Sequence, residues 1–345
     1  MKSYRVTELL GDGISTELAQ SVHQVLASLP VKIELEPVDL SLPARQGDQA
    51  ACYEHALKSL KRTSVALKYP TITEGESPNK ILRERCGFAV IHRSCATIPG
   101  IATYFTKPID VDIVRVATGG TYEDQGRRIG LHSAVSVRVI EKLPCLLAAK
   151  FAFRLAKEKG KSVISSSKYT IQRATDGLFE EAVDEAATAY PSVKHKRILF
   201  DALLAKLATH PEEVQVVVCP NEYGDFLSDC AAGLVGSLGV ADSASYAFDD
   251  KGDVAVALFD PAGGTAPDIA GKNLVNPSAI FLALSALLAH IGEEKIGRRL
   301  RLAVMDCLAQ GRTTRDLGGK LGTDAFTQAV IEGFRSERKT SEAAC

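Results

Sequence analysis

Val214-Gln215-Val216-Val217-Val218-Cys219, followed by Pro220-Asn221-Glu222-Tyr223-Gly224 and then Asp225-Phe226-Leu227-Ser228-Asp229, is the run that decides the fold. A short valine-rich run stopped by proline reads as a buried strand, the segment after it as a turn, and the polar residues beyond as the start of a helix. The same alternation extends outward in both directions. Residues 5–9, 31–36 and 65–68 read as strands, with helical patterns over 14–29 and 57–62. Pro144 opens a helix that Gly160 can close, residues 162–165 form a strand, and Asp176 can cap a helix running toward Tyr190. Residues 254–259 form a last strand that enters a Gly/Pro-rich loop, and Asn276-Pro277 starts a long apolar helix. Strands alternating with helices predict an α/β layered fold with a largely parallel sheet.

At 345 residues the chain is long enough for two lobes, and 46% hydrophobic with 24% charged residues is the composition of a globular protein with a large core. A net charge of −1 excludes a broad electrostatic grip on nucleic acid or on an acidic membrane surface, so anion binding must come from local arginine clusters. The longest apolar stretch, residues 279–291, is shorter than the roughly 20 residues of a membrane span and contains Ser285 and His290; it reads as a buried helix. Strand-like sequence from Tyr4 leaves no room for a leader, so a cytoplasmic protein or the processed form of a mitochondrial matrix protein is expected. Eight cysteines without a Cys-x-x-Cys pair indicate neither a disulfide framework nor a zinc site.

Asp225 and Asp229 lie four apart at the expected helix start. Like charges at that spacing share one face and repel by a few tenths of a kcal/mol, an objection that a divalent cation removes and that solvated capping also avoids. Ser77-Pro78-Asn79, with Arg83 one turn on, reads as an N-cap, a first-turn proline and a first-turn amide, suited equally to capping or to a carboxylate. Arg93 and Arg115 interrupt apolar segments, where a guanidinium needs either a salt-bridge partner or a bound carboxylate.

Together these residues resemble the isocitrate and isopropylmalate dehydrogenases. Ser77-x-Asn79-x-x-x-Arg83, Arg93, and Arg115 with Tyr122 seven residues later are similar to the substrate-binding run. Ser167-Lys168-Tyr169-Thr170-Ile171 before Asp176-Gly177-Leu178-Phe179 looks like the catalytic lysine segment, and Asp201 with Pro220-Asn221-Glu222-Tyr223-Gly224-Asp225 and Asp229 like the metal-ligand segment. Gly264-Thr265-Ala266-Pro267-Asp268-Ile269-Ala270-Gly271-Lys272-Asn273 with Asn276-Pro277 resembles the cofactor loop, and Thr73 falls where the nicotinamide side would be. Gly11-Asp12-Gly13 is followed by Thr16 where a third glycine would stand, so this is not the common Rossmann fold.

The resemblance implies a two-lobed α/β fold with mixed, mostly parallel sheets: residues 1–97 with 247–345 as the larger lobe, and 98–246 as the smaller, dimer-forming lobe. It implies Mg²⁺ or Mn²⁺ on Asp201, Asp225 and Asp229, carboxylates clamped by Arg83, Arg93 and Arg115 beside Ser77 and Asn79, and proton transfer by Tyr122 and Lys168. The dinucleotide would meet Thr73, Gly264, Thr265, Ala266, Asp268, Ile269 and Asn276. Asp268 favours NAD, because a carboxylate accepts the ribose hydroxyls and repels a 2′-phosphate. Lys168 and Asp201 would act in a neighbouring subunit, making a homodimer or hetero-oligomer the functional unit. Asn79 and Lys80 stand where isopropylmalate enzymes carry apolar groups, so a small tricarboxylate is the expected substrate, isocitrate first and homoisocitrate, 3-isopropylmalate or malate as alternatives. Gly263, Asp260, Thr170, Ser167 and Val116 depart from the usual His, Glu, Asn, His and Glu, the kind of loss expected where a chain has only a regulatory or structural role.

Overall fold

The computed structural model describes residues 2–101, 103, 105–236 and 241–336. In chain order the elements are β1 (Ser3–Leu10), α1 (Ser15–Ser28), β2 (Lys32–Asp39), α2 (Leu42–Thr63), β3 (Val65–Lys68), α3 (Pro78–Cys86), β4 (Val90–Ala96) and β5 (Asp110–Val116). They continue with β6 (Arg127–Ile129), β7 (Ser133–Val135), α4 (Lys142–Lys159), β8 (Val163–Ser167), α5 (Thr175–Ala187), β9 (His195–Leu199), α6 (Phe200–Thr209), β10 (Val216–Cys219) and α7 (Asn221–Val235). The last are β11 (Asp242–Phe248), β12 (Val254–Pro261), α8 (Ser278–His290), α9 (Glu294–Ala309) and α10 (Thr323–Arg335).

Ten strands form one sheet in the order β2-β1-β3-β12-β11-β4-β5-β10-β8-β9, while β6 and β7 form a separate hairpin. Both ends of the sheet are parallel, as expected from alternating strands and helices, but β12, β11, β4 and β5 pair antiparallel in its middle. β10 shows why the valine run folds as it does. Val216 and Val218 pack with α4 and α5, whereas Val217 and Cys219 pack with α6 and α7. A period of two places alternate side chains on opposite faces, and with helices on both faces every position is apolar. Each fully buried valine contributes roughly 1.5 kcal/mol or more.

α8 is apolar around its circumference and packs with α1, α9 and α10 on one face of the sheet's other half. Gly160 ends α4 in the left-handed conformation at φ 66°, its amide donating to the Ala156 and Lys157 carbonyls. Two boundary readings are corrected. Residues 221–224 are the first turn of α7 rather than a preceding turn. Asp176 lies within the first turn of α5 after Ala174 at the cap, and its side chain accepts the Lys168 amide hydrogen bond instead of capping the helix. No helix among the described residues is long and apolar enough to cross a membrane.

Candidate active site

The antiparallel centre of the sheet assembles the arginines. Arg115 pairs with Ile91, two residues before Arg93, so both guanidiniums leave the same face. Arg93 in turn pairs with Ser243, and Ser243 with Asp260, which extends a polar row across β4, β11 and β12. α7 covers this face beside β5. Its approach requires Gly224: a Cβ there would come within 2.5 Å of the Arg115 Cβ. α3 brings Ser77, Asn79 and Arg83 to the rim of the same cleft, of about 360 Å³, which Arg93, Arg115, Tyr122 and Asp225 also line. Ser77 occupies the N-cap position of α3 but makes no side-chain capping bond, so its hydroxyl is not committed to the helix. Lys80 is half-buried on the rim, 3.6 Å from Glu84.

Both arginines find their partners on α7. Arg115 donates through Nε to Asn221 Oδ1 at 2.8 Å and through Nη1 to Asp225 Oδ1. Arg93 Nη1 donates to Ser228 Oγ at 2.6 Å and Asp229 Oδ1 at 3.2 Å, and lies 3.7 Å from Asp225 Oδ1. Tyr122 donates to Asp225 Oδ2 at 3.1 Å and lies under the Arg115 guanidinium. Burial, with Asp225 nearby, pushes the Tyr122 phenol above its ordinary range. Burial and the adjoining Arg115 lower Arg83 to about 10. Arg93 Nε is buried without a partner among the described residues.

Lys168 and Asp201 form a separate pair, Nζ to Oδ1 at 2.9 Å, at the ends of β8 and β9. The hydrogen bond from Lys168 holds the exposed Asp201 carboxyl below its ordinary range. Within one chain the structure therefore brings Asp225 and Asp229 together and leaves Asp201 with Lys168; no group of three or more potential metal-ligating side chains is assembled among the described residues. Asp225, which lines the cleft, and Asp229, more exposed beside it, carry hard oxygen donors of the kind that suit Mg²⁺ or Mn²⁺.

A second, deeper cavity of about 250 Å³ shares Asn79, Arg83 and Arg93 with the first and continues to Lys68, Asp260, Gly263 and Gly264. Lys68 and Asp260 had no role assigned from sequence. Burial lowers the Lys68 ammonium to about 8 against the pull of Asp260, and burial raises the Asp260 carboxyl, whose Oδ1 has no partner among the described residues. The sequence signs of this pair were a lone lysine at the end of a four-residue strand and, at Asp260, a carboxylate noted only as a departure from the usual Glu. Thr71 lines the cavity, whereas Thr73 is exposed on the following loop. That loop is anchored from below: Asp12 accepts from the Ile72 amide at 2.8 Å, and the buried Arg45 donates to the Ile72 carbonyl at 2.7 Å.

The expected cofactor loop follows β12. Ile14 donates to the Thr265 carbonyl at 3.0 Å, and Gly13 must be glycine because a Cβ would sit 2.0 Å from that oxygen at φ 57°. Glu17 accepts from Gly271 and Asn273 at 2.7 and 2.9 Å, fixing the far end. Ala266 has φ 35°, Ile269 donates to the Ala266 carbonyl, and Asp268 is exposed. Asn276 accepts the Ser278 amide at the start of α8 and donates to Asp316 at 2.9 Å.

The mixed sheet thus carries an arginine-lined cleft whose clustered guanidiniums suit an anionic ligand, beside two aspartates and a pinned Gly-Thr-Ala-Pro loop. Comparison with known proteins gives the family. The isocitrate/isopropylmalate dehydrogenase family profile matches residues 5–332, and the chain belongs to that family. It is 34% identical over 330 residues to isocitrate dehydrogenase [NAD] catalytic subunit 5, mitochondrial, of Arabidopsis thaliana, covering 93% of this chain and 86% of the relative. It is 32% identical over 337 residues to a mitochondrial NAD isocitrate dehydrogenase regulatory subunit of Dictyostelium discoideum, covering 96% and 92%. The crystal structure of isocitrate dehydrogenase from Methylococcus capsulatus superposes with a TM-score of 0.89 at 28% identity, over 96% of this chain and 100% of that one.

Proposed function

We propose that the chain catalyses NAD-dependent oxidative decarboxylation of isocitrate to 2-oxoglutarate, as a dimer or hetero-oligomer whose active sites lie between subunits. The observation that carries this reading is the convergence of Arg83, Arg93 and Arg115 with Tyr122 and Asp225 on one cleft, with Asp229 beside it on Arg93. Three guanidiniums against two carboxylates leave room for the negative charge of a polycarboxylate. An arriving carboxylate takes Arg115 and Arg93 from the aspartates, and the aspartate oxygens become available as ligands. Asp225 and Asp229 would hold a divalent cation with Asp201 from a second copy of the chain; when bound, the cation supplies Lewis acidity toward the substrate hydroxyl. Thr73, Gly264, Thr265, Ala266, Asp268, Ile269 and Asn276 would hold NAD, which when bound supplies a hydride acceptor.

The residues of the chain do the rest. Arg83, Arg93 and Arg115 orient the acid so that one face of its hydroxyl-bearing carbon is presented. Lys168, brought by the second copy, takes up the hydroxyl proton, and Tyr122, protonated at neutral pH, delivers a proton after CO₂ departs. Asn79 and Lys80 favour a third carboxylate over an alkyl arm. We further infer that residues 1–97 with 247–345 and residues 98–246 behave as two lobes whose closure excludes water; of these, 1, 102, 104, 237–240 and 337–345 lie outside the described residues. The mitochondrial relatives favour the matrix as its compartment, and a cytoplasmic location is the alternative.

A second reading, a non-catalytic regulatory subunit, is favoured by one observation: Gly263, Asp260, Thr170, Ser167 and Val116 depart from the residues usual in the family. Mixing purified protein with Mn²⁺, NAD and isocitrate and following absorbance of the reduced nicotinamide separates the two. Turnover supports the enzyme. Silence with isocitrate, homoisocitrate, 3-isopropylmalate and malate, with NAD and NADP alike, rejects it in favour of the regulatory role.

A further inference from the structure

Between β7 and α4 lies a guanidinium that none of the proposed chemistry uses. Arg138 is withdrawn from water and donates through Nε to Glu222 Oε1 at 2.6 Å, and through Nη1 to Asp176 Oδ1 and to Thr175 Oγ1 at 3.2 Å. Its flat face lies 5.1 Å from the centre of the Tyr223 ring. Both carboxylates are buried, Asp176 completely.

Each contact leads to a residue of the proposed site. The second oxygen of Asp176 accepts the Lys168 amide at 2.6 Å, so the backbone that carries the lysine hangs from the Arg138 ion pair. Glu222 stands in the first turn of α7, three residues before Asp225, on the helix that also carries Asp229. The Tyr122 loop leans on the same group. Gly120, at φ 76°, packs so closely that a Cβ would meet Glu222 Oε2 at 1.9 Å, and it exchanges backbone hydrogen bonds with Val139, the residue after Arg138, at 2.6 and 3.2 Å. Asn221, next to Glu222, donates to the Gly119 carbonyl at 2.9 Å.

We propose that Arg138 is a positioning residue that fixes the Lys168 loop, the Tyr122 loop and the first turn of α7 relative to one another; the assignment rests on the function proposed above. Its charge is required because two buried carboxylates would otherwise repel across the gap. Its shape is required because a planar fork reaches two acceptors on different edges, which a lysine point charge does less well. Of the three groups that grip the acid, Arg83 stands on α3, outside the elements that Arg138 joins, Arg93 meets α7 beyond its first turn, at Ser228 and Asp229, and Arg115 is linked to that turn through Asn221. Losing Arg138 should therefore slow proton transfer more than it weakens substrate binding.

The test uses the full chain with Arg138→Met and Arg138→Lys, measuring kcat and KM with Mn²⁺, NAD and isocitrate, and amide hydrogen exchange without any ligand over residues 118–124 and 167–177. For Arg138→Met we expect kcat to fall about 100-fold, the scale of a misplacement near 1 Å, with KM within about threefold. The Lys168 amide should exchange faster, and Arg138→Lys should recover part of kcat and of the protection. Unchanged kcat and exchange, or a KM rise that accounts for the loss, overturns the proposal. Should Arg138→Met fail to fold, Arg138→Lys decides: lowered kcat at unchanged KM supports the assignment, and wild-type kinetics and exchange overturn it. If the wild type turns over nothing, the enzymatic reading fails and exchange alone judges Arg138: faster exchange in both segments supports the link, wild-type exchange refutes it.

Discussion

Asp225→Asn separates the two duties of this carboxylate, because the amide keeps an acceptor oxygen while removing the charge. Asp225 is partnered by Arg115, nearly inaccessible at 4% exposure, and by Arg93, with 31% of its own side chain exposed. Breaking a fully buried ion pair costs 3–5 kcal/mol; the exposure of Asp225 reduces this to about 1–2 kcal/mol. For a chain of this length the unfolding entropy is about 0.7 kcal/mol/K, so the melting temperature should fall by roughly 1–3 °C. Turnover should suffer far more. Loss of a ligand to a Lewis-acid cation worth about 4 kcal/mol in the transition state corresponds to a rate loss of roughly 1000-fold. Binding of the acid without metal should move the opposite way. With a competing carboxylate gone, Arg115 and Arg93 are freer, and calorimetric titration of isocitrate in the presence of a chelator should show affinity raised by roughly five- to tenfold, about 1 kcal/mol. Thermal melts, metal-dependent turnover and that titration together check the reasoning. Turnover within tenfold of wild type would remove Asp225 from the ligand set, and unchanged metal-free affinity would refute the competition between aspartate and substrate for the arginines.

Two further predictions concern groups outside the cleft. Asp112, fully buried at the start of β5, is held by His92 at 3.0 Å, Lys159 at 2.7 Å and Lys161 at 3.1 Å; although burial pushes its carboxyl up, these partners outweigh it and hold it well below the usual range. A depressed carboxyl stabilises above its unfolded pKa of 3.8 and loses that contribution as pH falls toward the folded value. Asp112→Asn should cost about 3 kcal/mol at pH 7 in denaturant melts, with the gap to wild type narrowing by about 1 kcal/mol at pH 3; a gap independent of pH would contradict the assignment. Gly120→Ala combines a left-handed backbone with the collision against Glu222 and should destabilise by about 1–2 kcal/mol while lowering kcat, and an alanine variant with wild-type stability would show that the Tyr122 loop is not seated as described.

Three readings that needed only local rules held, while the turn at 221–224 and the Asp176 cap did not. The valine run over 216–219, the left-handed Gly160 stop, and the Asn-Pro start of α8 are dictated by neighbours a few residues away. Side-chain period, backbone sterics and the missing proline amide act at that range. The need of Arg93 and Arg115 for partners was equally legible, since a guanidinium among apolar neighbours cannot stay alone. Who those partners are was not. Arg115 and Asn221 are separated by 106 positions, and they meet only because β5 and β10 pair in parallel with Arg115 opposite Cys219, two residues before Asn221. A one-residue slip in that pairing would send a guanidinium to the opposite face. Lys68 with Asp260, and Arg138 between Asp176 and Glu222, belong to the same kind: each charge is unremarkable in its own segment, and only strand order and register decide which opposite charge shares its burial.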